Sequence, residues 1–383
     1  WQPETSIVEC RNIGAAEAQM REALIGAVDI HRRSDVTVGS ALSGGVDSSI
    51  LTILLDQAKP PKQKTHTFTI VFPGDPIDEQ NYAEMVTDVI DAEAHMIHLF
   101  PERFAQEWDR FVWMHDEPVG SLSVYAGYCV ARRMREVGVP VTLNGQGGDE
   151  ILAGYWQSYF VHLRNLFRGL KWGELAVHLG GALLPGGNPS LWSQIPEMYK
   201  RFQARKRAQL NADSASSNSI ETFLKMDPMA QRVYQIRRLF LPRLLRWDDR
   251  NSMSFGVEGR YPFLDHKVIE LGLSFHPQVL YSRGWTKWPV RRAFRRELPD
   301  GIVKRRSKFG FETPQRSWLL GPLAGQIREF LSGESIVWSF VSQRELGRAF
   351  DALIAGNGSE ESIYTIFRCF AFHSWVRVFG VKE

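Results

Sequence analysis

Strand and helix patterns alternate from about residue 35 to residue 155, and this alternation constrains the fold more than any other feature of the chain. "VTVGSAL" reads as a short buried strand, followed by helical spacing in "DSSILTILLDQA" and a break at "KPPKQK". "THTFTIVF" and "AHMIHLF" read as the second and third strands, with "DEQNYAEMVTDVIDA" helical between them. Two helical stretches, "PERFAQEWDRFVWMH" and "SVYAGYCVARRMREV", precede a fourth strand, "VPVTLNG". Such an order predicts an α/β fold, a parallel sheet with helices on both faces. Ligand sites in such sheets lie beyond the carboxyl ends of the strands. Upstream, residues 14–33 carry Met20, Leu24, Ala27, Val28 and Ile30 at helical spacing. Beyond residue 155 the patterns become long, helical and rich in Trp and Arg, with few strand signals. "LLPGGNPS" and "NADSASSNS" read as loops, and "ESIYTIFRCFAFHSWVRVF" as an amphipathic closing helix.

The totals narrow the function classes. Of 383 residues, 44% are hydrophobic and 23% charged, enough for a packed core. A net charge of +3 supplies no electrostatic case for nucleic acid. No apolar run reaches the length of a membrane span, and no signal peptide heads the chain, so a cytoplasmic protein is expected. Cys10, Cys129 and Cys369 are scattered, which fits neither a disulfide framework nor a zinc cluster.

Two glycine turns follow strands. The first, "SGGVDSS", has Gly44 and Gly45 for a tight turn and close backbone approach. Ser43, Ser48 and Ser49 add hydroxyls, and the amides of the next helix face an anion. The loop has neither the lysine of G-x-x-x-x-G-K-[ST] nor the spacing of G-x-G-x-x-G. A carboxylate here, Asp47, repels phosphate unless a metal lies between them. The second turn, "NGQGGDE", repeats the logic with Asp149 and Glu150. Two such turns, each carrying acid, suit one magnesium–nucleotide site.

"SGGVDSS" resembles the pyrophosphate loop (PP-loop) of the ATP pyrophosphatases, whose fold is of the adenine-nucleotide alpha-hydrolase-like kind. With "VTLNGQGGDEILAGY", "HDEPVGSLSVYA", "DDRNSMSFGVEGRYPFLDHKVIEL" and "RRSKFGFETP", the chain resembles the synthetase domain of the asparagine synthetase family. The five ordered segments span residues 36 to about 318, and "YTIFRCFAFHSWV" fits the closing helix. The resemblance implies a linker and helix over 1–34, a nucleotide-binding α/β part over 35–160, and a mostly helical part over 161–383 that covers the site.

It also implies roles for particular residues. Leu42, Val71, Asn144 and Gly145 border the nucleotide. Ser43, Gly44, Gly45, Asp47 and Ser48 hold pyrophosphate, and Asp47 and Asp149 face magnesium. Lys308 stabilises the charge that develops as pyrophosphate leaves; from composition alone it reads as a solvated basic residue. Glu150 joins the catalytic set, and Glu117, Ser121, Gln146, Arg260 and Arg306 contact the substrate. The implied reaction transfers AMP from ATP to a carboxylate, with aspartate expected, and ammonia then forms the amide. Other acceptors, a sugar uronic acid or a peptide carboxylate closed into a lactam, use nearly the same motifs. A non-catalytic nucleotide-binding homologue and a tRNA-modifying adenylating enzyme are the readings from other classes. The intact pair Asp47 and Asp149 speaks against the first. The near-neutral charge and scattered cysteines speak against the second.

Two departures from the family pattern bear on this. The family usually has an N-terminal glutaminase domain headed by cysteine, whereas this chain starts at Trp1. The expectation is a synthetase half, fed with ammonia from solution or by a glutaminase domain or subunit, and Cys10 is not that nucleophile. Gln146 stands where β-lactam-forming relatives carry a tyrosine that is part of the base. A carboxamide is a poor proton acceptor, which favours simple amidation. A homodimer is a common outcome for soluble enzymes.

Overall fold

The computed structural model describes residues 9–196, 226–306 and 313–381. The expected loop at 211–219 and Lys308 lie outside the described residues.

The alternation folds as expected. The order is α1 (Ile13–His31), β1 (Val38–Ala41), α2 (Val46–Ala58), β2 (Thr65–Val71), α3 (Gln80–Thr87) and β3 (Ala92–His98). Next come α4 (Pro101–His115), α5 (Ser123–Glu136), β4 (Val141–Leu143), the short α6 (Gly148–Ile151), α7 (Trp156–Arg168) and α8 (Trp172–Gly181). The remaining described chain is largely helical, ending in a helix over Glu360–Phe379. α1 buries Ala16, Met20, Leu24, Ala27 and Val28, but Ile30 is 49% exposed. The apolar stripe of α1 stops a turn short of the helix end, which corrects the expectation for Ile30.

The strands form one sheet in the order β3-β2-β1-β4-β5, with every pairing parallel. The fifth strand, β5 (Glu258–Arg260), is an addition to the expected four. It lies inside a segment that reads as helical by pattern, and its three residues lack any β-branched or aromatic side chain. Pairing with β4 places it, Val141 against Glu258 and Leu143 against Arg260. The order reverses between β1 and β4. At such a switch point two successive connections leave toward opposite faces of the sheet, and a crevice opens at the carboxyl ends of the strands. Both glycine turns follow these two strands.

Each face of the sheet carries its own hydrophobic core. One joins Met20 and Leu24 of α1 and Ile50 and Leu51 of α2 to Phe263, Phe275, Val290 and Phe294. The other joins Phe68 of β2, Trp108 of α4 and Tyr128 of α5 to Ile366 and Phe367 of the closing helix. The indole N–H of Trp108 donates to Ser374 Oγ at 2.8 Å, a bond that locks α4 to that helix. Late helical segments therefore pack on both faces and bring their side chains to the switch point. Among the described residues no helix is long and apolar enough to cross a membrane.

Candidate active site

The first turn is built as an extension of β1. Leu42 N–H donates to Phe68 C=O at 2.9 Å, and Leu42 C=O accepts from the Thr69 hydroxyl at 2.7 Å. Leu42 and, at the end of β2, Val71 are both buried. Gly44 has φ +64°, and a Cβ there would collide with Tyr82 at the start of α3. Only glycine suits that position. The Ser48 hydroxyl donates to Gly45 C=O at 3.2 Å and lies 3.3 Å from both Ser43 N and Ser43 Oγ. These bonds close the loop on itself, and no side chain caps the N terminus of α2 at Gly45. The first amides of α2 are left facing the turn, the arrangement that binds an anion.

The second turn packs directly on the first. A Cβ on Gly145 would lie 3.1 Å from Ser48 N, and one on Gly148 would lie 2.6 Å from the Asp47 carboxyl carbon. The glycines after β4 thus make room for the aspartate after β1. Gly147, at φ +95°, turns the chain into α6, which presents Asp149 and Glu150.

Asp47, Asp149 and Glu150 are all buried. The Lys287 ammonium bridges the first two: it pairs with Asp47 Oδ2 and lies 2.7 Å from Asp149 Oδ1. Lys287 sits in the left-handed region at φ 55°, just before the helix Trp288–Ala293, and is itself buried. Gly154 abuts both Asp149 Oδ1 and the Lys287 side chain, with no room for a Cβ. The other Asp47 oxygen, Oδ1, is buried without a hydrogen-bond partner. An orphaned carboxylate oxygen beside a second carboxylate is an all-oxygen donor set that suits a hard divalent cation such as magnesium. Glu150 accepts from the Tyr155 hydroxyl at 2.6 Å. Burial, then the Asp149 and Glu150 carboxylates, push that phenol far above its ordinary range, so Tyr155 stays a donor.

Two buried arginines complete the frame. Arg305 donates to Ser43 C=O at 2.9 Å, pairs with Glu79, and lies over the Tyr82 ring at 4.0 Å. Arg291 donates to the carbonyls of Val303 at 2.6 Å and Arg305 at 3.3 Å. Burial lowers Arg291 to about 10, with the Asp47 carboxylate opposing that fall. The chain at Val303 and Arg305 is therefore pinned against the first turn.

The other expected site residues are placed as follows. Asn144 turns its amide to Asp248 at 3.0 Å, which also accepts from the Tyr261 hydroxyl at 2.9 Å. Burial raises the Asp248 carboxyl against those two bonds. Glu117 accepts from the Trp247 indole at 3.1 Å and pairs with Arg246 at 3.0 Å. Ser121 accepts from Ser123 at the start of α5. Gln146 is half-buried in the second turn. Arg260 donates at 2.7 Å to both His31 and Arg33 C=O and pairs with Glu258. Those bonds tie the end of α1 to β5, a structural role in place of the substrate contact expected. Arg306 is exposed, and its neighbour Arg305 is the residue that reaches the loop. Lys287, Arg291 and Arg305 are absent from the sequence-based set. Their one signal is weak: basic residues close to aromatic or apolar ones, Lys287 alone and Arg291 and Arg305 within basic runs, in "GWTKWPVRR" and "GIVKRR".

Comparison with known proteins gives the family. Residues 19–377 match the family model described as asparagine synthase. Asparagine synthetase [glutamine-hydrolyzing] 1 of Bacillus subtilis is 25% identical over 344 residues, covering 82% of this chain and 52% of the relative. Asparagine synthetase B [glutamine-hydrolyzing] of Escherichia coli is 23% identical, covering 79% and 46%. Amidase chyE of Penicillium rubens is 23% identical, covering 83% and 55%. The chain spans about half the length of these curated relatives.

Proposed function

This chain belongs to the asparagine synthase family, and we propose that it joins ammonia to a carboxylate, aspartate being the substrate and asparagine the product, while ATP is cleaved to AMP and pyrophosphate. The observation that carries the reading is the meeting of Asp47 and Asp149 around one ammonium at the β1/β4 switch point. The two loops act together on a single triphosphate.

In this reading the uncapped amides of α2, with Ser43, Gly44, Gly45 and Ser48, bind the pyrophosphate end of ATP. Leu42, Val71, Asn144 and Gly145 border the nucleoside. Asp47 and Asp149 hold magnesium, which when bound neutralises phosphate charge. Lys287 supplies a second fixed cation, and Lys308 a third from the segment that Arg305 and Arg291 anchor. The substrate carboxylate attacks the α-phosphorus, and pyrophosphate leaves toward these cations, which stabilise it without reorganising. Ammonia then attacks the acyl carbon, and AMP departs. Glu150, oriented by Tyr155, is the proposed acceptor of a proton from the attacking amine. Glu117, Ser121 and Gln146 line the acid side. The helical part over 161–383 keeps water from the adenylate.

A glutaminase domain or subunit is the proposed source of ammonia, because the relatives named glutamine-hydrolyzing are about twice as long as the match. A cytoplasmic homodimer is the proposed working form. A second reading, the same chemistry on another acid, is favoured by the relatives named amidases. The test is AMP and pyrophosphate release with ATP, magnesium and ammonia across a panel of carboxylates. Release that depends on aspartate supports the first reading. Release with a different acid alone moves the assignment to the second.

A further inference from the structure

β3 is an edge strand, paired in register with β2, so that His66 faces Glu93 and Phe68 faces His95. Alternation puts His66, Glu93 and His95 on one face of the sheet. His66 and Glu93 are each the second residue of their strand, and His95 is at the middle of β3. The nucleotide end, beyond Val71, is five residues away along β2, roughly 16 Å.

Three ligand atoms converge there. His66 Nδ1 and His95 Nε2 are 3.2 Å apart, and Glu93 Oε1 is 3.9 Å from the first and 3.7 Å from the second. The carboxylate oxygen is beyond hydrogen-bond range of either ring nitrogen, yet nearly equidistant from both. A point equidistant from the three atoms lies about 2.1 Å from each, the length of a Zn–N or Zn–O bond. The rings are stacked with an interplanar angle of 2°, and His95 stacks in turn on Phe68 at 4.7 Å. The buried His95 ring is thereby held in place by the core residue behind it.

The geometry points to a zinc-type metal site formed by His66, Glu93 and His95, separate from the nucleotide centre. Two imidazoles and one carboxylate select a borderline ion such as Zn2+ over Mg2+ or Ca2+. Arg133 on α5 sets a positive charge against the ion, but it is ion-paired with Glu136 at 3.3 Å. Glu93 is half exposed, which leaves an open side for a fourth ligand from solvent. The ion would clip the edge strand β3 to β2. The alternative, two neutral imidazoles sharing one proton with no ion, predicts no metal affinity.

The full chain is titrated with Zn2+ against a chromophoric chelator in millimolar Mg2+, and with Co2+ for its visible absorption. One ion per chain is expected, and a zinc-dependent rise in the unfolding midpoint. His66→Ala and Glu93→Gln should each weaken zinc binding by at least about tenfold, as loss of even an outer-shell partner does. Asp47→Asn should leave it unchanged. The isosteric, half-exposed Glu93→Gln leaves the fold intact, so its affinity alone decides. No zinc binding, equal affinity in Glu93→Gln and the parent, or loss confined to Asp47→Asn would each overturn the assignment.

Discussion

At the scale of single residues, Lys287 is the least expected member of the site. Its ammonium neutralises two buried carboxylates that would otherwise repel each other. Removing one partner of a buried charge group leaves the others uncompensated. Lys287→Met should therefore cost about 3–5 kcal/mol in the absence of magnesium, read from the urea midpoint. Magnesium should restore more stability to the variant than to the parent. A midpoint unmoved by the substitution would mean that the lysine does not hold the acids together. The sequence made Asp47 and Asp149 legible because each follows a strand and a glycine turn, a purely local signal. Lys287 had no such signal, since it meets Asp47 across 240 positions of chain. Arg305 and Arg306 are adjacent and chemically equal, and Arg305 is the one taken up by Tyr82, Glu79 and Ser43 C=O.

At the scale of elements, β5 shows where pattern reading stops. "EGR" has no strand character of its own, and β4 imposes the extended form by pairing. Arg260 follows from that placement, because its guanidinium is taken up by the end of α1. Arg260→Leu should cost about 1–3 kcal/mol, the price of unsatisfied carbonyls, and leave the KM for the carboxylate unchanged. A KM raised tenfold with stability intact would return Arg260 to the substrate. A pH effect belongs to the pair α7 and α8. His162 and His178 face each other at 3.3 Å, and the second also contacts the Tyr159 hydroxyl at 2.9 Å. Burial depresses His162 to about 3 and His178 to about 4. Both are neutral when folded but take up protons near 6.5 when unfolded. Their contribution is complete above pH 6.5 and is lost as pH falls toward 4. Urea midpoints measured across that window should fall less steeply in His162→Leu than in the parent; parallel slopes would contradict the assignment.

At the scale of the molecule, the parallel sheet was legible because strand and helix periods alternate cleanly over 120 residues or so. The way late helices pack on both faces was not, since amphipathic stripes do not name their partners. Both cores combine residues from before and after residue 160. This is how the chain carries Lys287, Arg291 and Arg305 to a pair of loops encoded far upstream. In the proposed reaction these loops serve transfer of AMP to a carboxylate. The most direct measurement uses aspartate labelled with oxygen-18 in its side-chain carboxylate, with ATP, magnesium and ammonia. One labelled oxygen in each AMP released is expected, alongside asparagine. AMP without label, or label in inorganic phosphate with ADP as the nucleotide product, would contradict it.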